Sequence, residues 1–337
     1  MCDRFLLVVV LATQACSQIS TSQISTAARD VRPLVDHHQH LFSPVIAAVL
    51  KSEGRDFPAF TARELVALLD AAGIGRATVL SVAYMYGSPS RTVTDELAKV
   101  RAENDWTEAQ VSQYPDRLVG FCGVNPLKEY AVDEIARCAT IKNIRTGLKL
   151  HFGNSDVQLE NPEHLEKVRR VFRVANEHHM AIAIHMRANI TKKRPYGEEQ
   201  ARIFLEQLLP LAKDIPVQVA HLAGTGPGYN DPPADAAMAF LVKAVARGDK
   251  RTRNLWFDVS GIATADMPAD QAERMALRIR QVGVKHVLYG SDAAVPGNAP
   301  HEAWNNFKRL PLTSAEFAQI ATNVAPYLSA TSRNSSR

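Results

Sequence analysis

Leu34-Val-Asp-His-His-Gln-His-Leu41 runs from apolar residues into a cluster of histidines. If this stretch is a β-strand, successive side chains alternate faces, so Asp36, His38 and His40 share one face and His37 and Gln39 the other. His38 and His40 can then reach one metal ion together. Alone, the pair reads equally well as two polar residues where a strand leaves the core.

Outward from this stretch, one rhythm repeats to the end of the chain. Short β-branched or apolar runs begin near Leu34, Ala77, Leu118, Arg145, Ala181, Val217, Leu255 and His286, and segments of helical period separate them. Each interval has room for a strand, a crossover helix and two loops. Thr61-Ala-Arg-Glu64 has the form of a capping box, Asn161-Pro162 supplies an N-cap and an N1 proline, and Gly73 suits a helix C-terminus. Eight such units predict an α/β chain folded as a single-domain (β/α)8 TIM barrel over 29–330, with a doubly wound open sheet as the alternative.

The composition narrows the function. The chain has 337 residues and a formal charge of +4, and its 39 Lys and Arg are interspersed with 35 Asp and Glu. No continuous basic stripe offers a nucleic-acid groove. The four cysteines, Cys2, Cys16, Cys122 and Cys138, form no CxxC pair and no dense framework, so neither a zinc ribbon nor a disulfide scaffold is indicated. Eleven histidines are more than packing requires.

The N-terminus reads as a separate piece. Phe5-Leu-Leu-Val-Val-Val-Leu-Ala12 is too short to span a bilayer but fits the apolar region of a secretory signal. Residues 1–28 are therefore expected to be a signal peptide and leader, the protein to be exported to a periplasm or medium, and 331–337 to be a disordered tail. Cys16 after Ala15 admits a lipid anchor, and no other membrane contact is expected.

The remaining histidines fall at strand ends. Ala181-Ile-Ala-Ile-His185 and Val217-Gln-Val-Ala-His221 each close an apolar run with a histidine, and His286-Val-Leu-Tyr-Gly-Ser-Asp292 closes with an aspartate. In a barrel these are the C-terminal ends of strands 5, 6 and 8, the face that carries active sites. Imidazole plus carboxylate suits zinc or a similar divalent ion.

These residues, with Glu103-Asn-Asp-Trp106, Tyr114-Pro-Asp-Arg-Leu-Val-Gly-Phe121, Gly147-Leu-Lys-Leu-His151, Phe257-Asp-Val-Ser-Gly261 and Tyr289-Gly-Ser-Asp292, resemble the amidohydrolase superfamily from Val31 to Leu328. The likeness is to its amidohydrolase-related group of decarboxylases and lactone hydrolases. It implies His38, His40, His185 and Asp292 as ligands of one divalent metal per chain, zinc first and manganese second. It makes His221 a catalytic partner that polarises substrate or orients water, gives Asp292 a catalytic role as well, and implies a homodimer.

A metal-activated water attacking an ester, lactone or amide of a small organic molecule is the expected reaction, with Asp292 taking the proton. Nonoxidative decarboxylation of an aromatic or unsaturated carboxylic acid is the alternative. A non-catalytic binding protein is disfavoured because every ligand is present.

Several residues near the site have weaker readings. Lys149 shares strand parity with His151 and is read as an inward structural or substrate-contacting cation; in binuclear relatives a lysine here bridges two metals. His151 reads as a substrate contact or a loop residue. Arg187 could grip a substrate carboxylate or pair with a loop. Tyr84 and Asn125, at the ends of strands 2 and 3, are lesser candidates. Gly224-Thr-Gly-Pro-Gly228 lacks the residues of a phosphate loop and reads as a mobile βα loop, and Thr191-Lys-Lys-Arg194 as a solvated one. Cys122 reads as a buried strand residue whose pairing with helical Cys138 stays open.

Overall fold

Eight strands pair in parallel in chain order within one sheet: β1 (Val35–Gln39), β2 (Arg76–Leu80), β3 (Leu118–Gly123), β4 (Gly147–His151), β5 (Ala181–His185), β6 (Val217–Val219), β7 (Leu255–Asp258) and β8 (Val287–Leu288). Backbone hydrogen bonds from His37 N–H to Tyr289 O and from Asp292 N–H to His38 O, each 2.9 Å, bring the end of β8 against β1. The result is a nearly closed (β/α)8 barrel.

This is a computed structural model describing residues 31–294 and 298–331. Contacts divide the chain after Val31, and the architecture is that of the unit beginning at Arg32. The expected signal peptide and leader (1–28) lie outside the described residues. So does the expected tail, except Thr331, which ends the last helix, Pro326–Thr331. No helix among the described residues is long and apolar enough to cross a membrane.

Helices between the strands cover the outside, and their ends follow the sequence signals. Thr61 and Glu64 form the reciprocal capping box of Ala62–Ala72, and Gly73 ends that helix at φ 69°. Asn161 accepts hydrogen bonds from the Glu163 and His164 N–H groups at the start of Pro162–Glu177.

The barrel floor is apolar. Val35, Leu80, Val119, Phe121, Ala181, Ala183 and Leu288 meet Ala325, Tyr327 and Leu328 from the C-terminal segment. Burying such side chains contributes roughly 1.5–3 kcal/mol each for the larger ones. Gly147 is required here: a Cβ on it would fall 2.3 Å from the Phe121 ring.

Three strand boundaries differ from the sequence reading. Arg145 lies outside β4, in an isolated antiparallel bridge to Phe121. β6 stops at Val219 because His221, Leu222 and Ala223 turn into the left-handed region, with φ of 54°, 46° and 66°. β8 holds only two residues before the chain moves toward β1. Cys122 of β3 and Cys138, the last residue of the helix Ala131–Cys138, are joined in a disulfide, which settles the pairing left open by the sequence.

Candidate functional site

The C-terminal ends of the strands collect buried polar side chains at one mouth. His38 and His40 come from β1 and the residue after it, Lys149 and His151 from β4, and His185 from β5. His221 follows β6, Asp258 ends β7 and Asp292 follows β8. Gly290 lets β1 and the β8 end approach, since a Cβ there would lie 2.8 Å from the His38 Cβ.

Hydrogen bonds fix the ring tautomers. The His40 Nδ1–H donates to Leu80 O at 2.6 Å and the His221 Nδ1–H to Ser260 O at 2.7 Å. The His38 Nδ1–H donates to Asp258 Oδ2 at 3.0 Å. Each bond leaves an Nε2 lone pair, the form a metal ligand needs. The His38 Nε2 lies 3.3 Å from the His40 Nε2 and 3.3 Å from the Lys149 Nζ.

The donor atoms of His38, His40 and Asp292 all lie within 4.8 Å of one another, and those of His38, His221 and Asp258 form a second such group. His185 belongs to neither triad. Its ring stacks on His151 at 3.9 Å between centroids and meets His221 at 5.1 Å. His221 in turn lies 4.8 Å from His38, and His38 lies 5.2 Å from His40. Tyr84, in the turn after β2, packs 5.2 Å from His151. Six rings thus form a continuous belt around the mouth.

Asp258 anchors much of this belt, and the sequence reading assigned it no role. Its carboxylate accepts the His38 Nδ1–H, the His221 and Ser260 N–H groups, the Ser260 Oγ–H and a Gln218 Nε2–H. Burial pushes the Asp258 carboxyl up, but the charge and hydrogen bond of His38 outweigh it and hold it well below the usual carboxylate range. Gln218 also accepts the Tyr327 hydroxyl at 2.7 Å, so contacts run unbroken from the barrel floor to His38. The available signal was Phe257-Asp-Val-Ser-Gly261, an aspartate at a strand end like His185.

Burial dominates the remaining ionisation. It pushes His221 down to about 4 and holds His40, His151 and His185 well below the usual imidazole value, keeping these rings neutral. Lys149 is pushed down to about 8 by burial, with the carboxylates of Asp258 and Asp292 opposing. Asp36 is not directed at the histidines. Its carboxylate is tied to Ser291, Gln39 and the His38 N–H, and burial lifts it to about 6. The β1–β2 register shifts between Asp36 and Gln39, which brings these two residues of opposite strand parity together.

A divalent metal ion fits this set on the chain's own chemistry. Asp292 Oδ1 is sealed from water with no hydrogen-bond partner among the described residues, an arrangement costly for a carboxylate unless a cation meets it. Asp292 and His221 both hold left-handed backbone, φ 59° and 54°, at a cost of order 1–3 kcal/mol each. The hydrogen bonds to His38 O and Asp258 Oδ1 hold those conformations.

Other candidate residues are placed as follows. Lys149 is buried and inward. His151 is at the mouth, its Nδ1 accepting the Asn154 N–H at 3.1 Å. The Arg187 fork is engaged by Asp231, at 2.6 and 3.3 Å, and lies over the Tyr196 ring, so the loop partner has it rather than open space. Asn125 is consumed by Gly87 O and the Leu127 N–H. Lys192 and Arg194 both pair with Asp156, which pins the basic loop.

A family model described as Amidohydrolase matches residues 35–323. The chain belongs to the amidohydrolase family. No curated protein sequence matches this amidohydrolase. Among solved structures it is similar to 5-carboxyvanillate decarboxylase from Sphingomonas paucimobilis, with 16% identity and a TM-score of 0.60 over 87% of this chain and 97% of that one. It is also similar to a probable 2-pyrone-4,6-dicarboxylic acid hydrolase from Acinetobacter baumannii, with 19% identity and a TM-score of 0.55 over 85% and 95%. A third is a manganese-bound 5-carboxyvanillate decarboxylase from Novosphingobium aromaticivorans, with 13% identity and a TM-score of 0.55 over 87% and 95%. At these identities the likeness is one of fold.

Proposed function

We propose that this enzyme is a metal-dependent nonoxidative decarboxylase of a small, flat, carboxylated ring compound. The carrying observation is the mouth itself: a belt of six rings, with the buried Lys149 cation and the partnerless Asp292 carboxylate oxygen inside it. Ring faces gathered at one mouth suit a planar ring, and the cation suits its carboxylate. Decarboxylases of ring acids among the similar structures favour this reaction, which the sequence ranked second, over hydrolysis.

His38, His40, His185 and Asp292 would hold one divalent ion, zinc or manganese. When bound, that ion supplies a Lewis acid that polarises substrate oxygens. Lys149 draws the carboxylate in, and the belt holds the ring plane. The bond between ring carbon and carboxylate breaks and carbon dioxide leaves, while the electron pair left on the ring carbon forms a C–H bond with a proton that the Asp292 carboxylate first takes from water or a substrate hydroxyl and then passes on. His221, fixed by Ser260 and Asp258, orients the substrate oxygen.

The likeness to a pyrone-dicarboxylate hydrolase favours a second reading, lactone opening, in which Asp292 takes a proton from water. The buried Cys122–Cys138 disulfide supports export to an oxidising compartment. The test is to incubate the metal-loaded enzyme with hydroxybenzoates, methoxylated benzoates and pyrone dicarboxylates, following carbon dioxide and ring opening. Carbon dioxide release with loss of one carboxyl is expected. Ring opening without carbon dioxide establishes the second reading, and no turnover of any ring acid rejects both.

A further inference from the structure

We propose that the Tyr84 hydroxyl is a substrate-specificity group of this site, donating a hydrogen bond to an oxygen substituent on the ring of the bound acid. The inference rests on the reading of the mouth as a ring-acid site and goes beyond it by assigning the substituent contact.

Five tyrosines are buried: Tyr84, Tyr86, Tyr229, Tyr289 and Tyr327. A buried phenol ordinarily finds a partner. Tyr86 bonds to Glu103, Tyr229 to Asp235, Tyr289 to Pro300 O and Tyr327 to Gln218. Tyr84 is 2% exposed, yet its hydroxyl makes no hydrogen bond to any described residue. Nor is it one of the interior atoms sealed from water without a partner. Its ring is a member of the belt, against His151, and the charge that acts on it most strongly is the Asp292 carboxylate. The hydroxyl therefore opens toward the mouth, and burial keeps it protonated, so it can only be a donor to an anionic or carbonyl oxygen there.

The backbone carrying Tyr84 is held firmly. Ser81 Oγ accepts the Ala83 N–H, the Arg91 guanidinium donates to Met85 O at 2.6 Å while paired with Glu53, and Asn125 donates to Gly87 O at 2.6 Å. A donor on so rigid a turn has a fixed position, as selectivity requires. Lys149 lies across the belt beside His38 and already offers charge to the carboxylate, which leaves the neutral phenol to read a second oxygen.

Binding of 2-hydroxybenzoate and of benzoate to metal-loaded enzyme, measured calorimetrically, tests this with Tyr84→Phe, which keeps the ring against His151. Tyr86→Phe serves as a control on the same turn. The expected result is that Tyr84→Phe weakens 2-hydroxybenzoate about tenfold and benzoate less than about twofold, with an unchanged melting temperature. Equal weakening of both acids, or of neither, overturns the assignment while leaving the ring-acid site standing. Failure of the wild type to bind either acid overturns both.

Discussion

Asp258 shows how one buried carboxylate can set several neighbouring groups at once. It fixes the His38 tautomer, caps the strained backbone at His221 and holds Ser260. Asp258→Asn removes the charge that keeps the His38 Nδ1 protonated, so metal affinity should fall by roughly 10–100-fold in a chelator competition. Unchanged affinity would mean that His38 is not a ligand. Asp292→Asn keeps the shape but loses the proton carrier, and turnover should drop by about 10²–10⁴-fold in a steady-state assay while the fold persists. At this scale the positions of His185, His221 and Asp292 at strand ends were legible because each closes an apolar run, and those of His38 and His40 because of their strand parity. Asp258 ends a strand as His185 does, but the partners that define its role lie 37 and 220 residues away, so its strand-end position alone did not disclose it. Arg187 could not be assigned from sequence for the same reason, as its partner Asp231 lies 44 residues on.

The strands and helices were legible where periodicity and caps act locally. Starts of β3, β5, β6 and β7 fall at Leu118, Ala181, Val217 and Leu255 as read from the sequence, because β-branched runs bounded by turn residues carry that information. The ends of β6 and β8 were not legible. Hydrogen bonds to Asp258 and to β1 pull the chain out of the ladder there, and those arise only once the barrel closes. The link between β3 and the helix Ala131–Cys138 belongs to this scale too. The disulfide closes a loop with a sequence separation of 16, worth about 3 kcal/mol through the unfolded chain. Urea unfolding of the Cys122→Ser/Cys138→Ser double variant should show a loss of about that size. An unchanged midpoint would indicate that the bridge carries no stability.

Across the whole molecule, burial of several histidines makes stability depend on pH. His37 and His221 titrate near 4 in the folded protein because burial disfavours their charged forms, against about 6.5 in an unfolded chain. Between those values the unfolded state binds more protons, so stability falls as pH drops from about 6.5 toward 4. Asp36, raised to about 6 by burial, and Glu103, also raised by burial, act in the opposite sense, but they are two groups against several depressed imidazoles. Chemical denaturation of the metal-free protein from pH 7 to pH 4 should therefore show a declining unfolding free energy. A level or rising profile would contradict neutral burial of the belt. The barrel itself was legible from eight successive strand-and-helix units. Its floor was not, because Tyr327 reaches Gln218 across 109 residues and belongs to no strand.

The proposed reaction depends on the mouth holding a metal. Elemental analysis of the purified protein after exhaustive desalting tests this most directly, alongside a His38→Ala/Asp292→Ala variant of verified fold. About one zinc or manganese ion per wild-type chain, lost in the variant, is the expected result. No bound divalent ion in the wild type, even after incubation with either metal, would contradict the account.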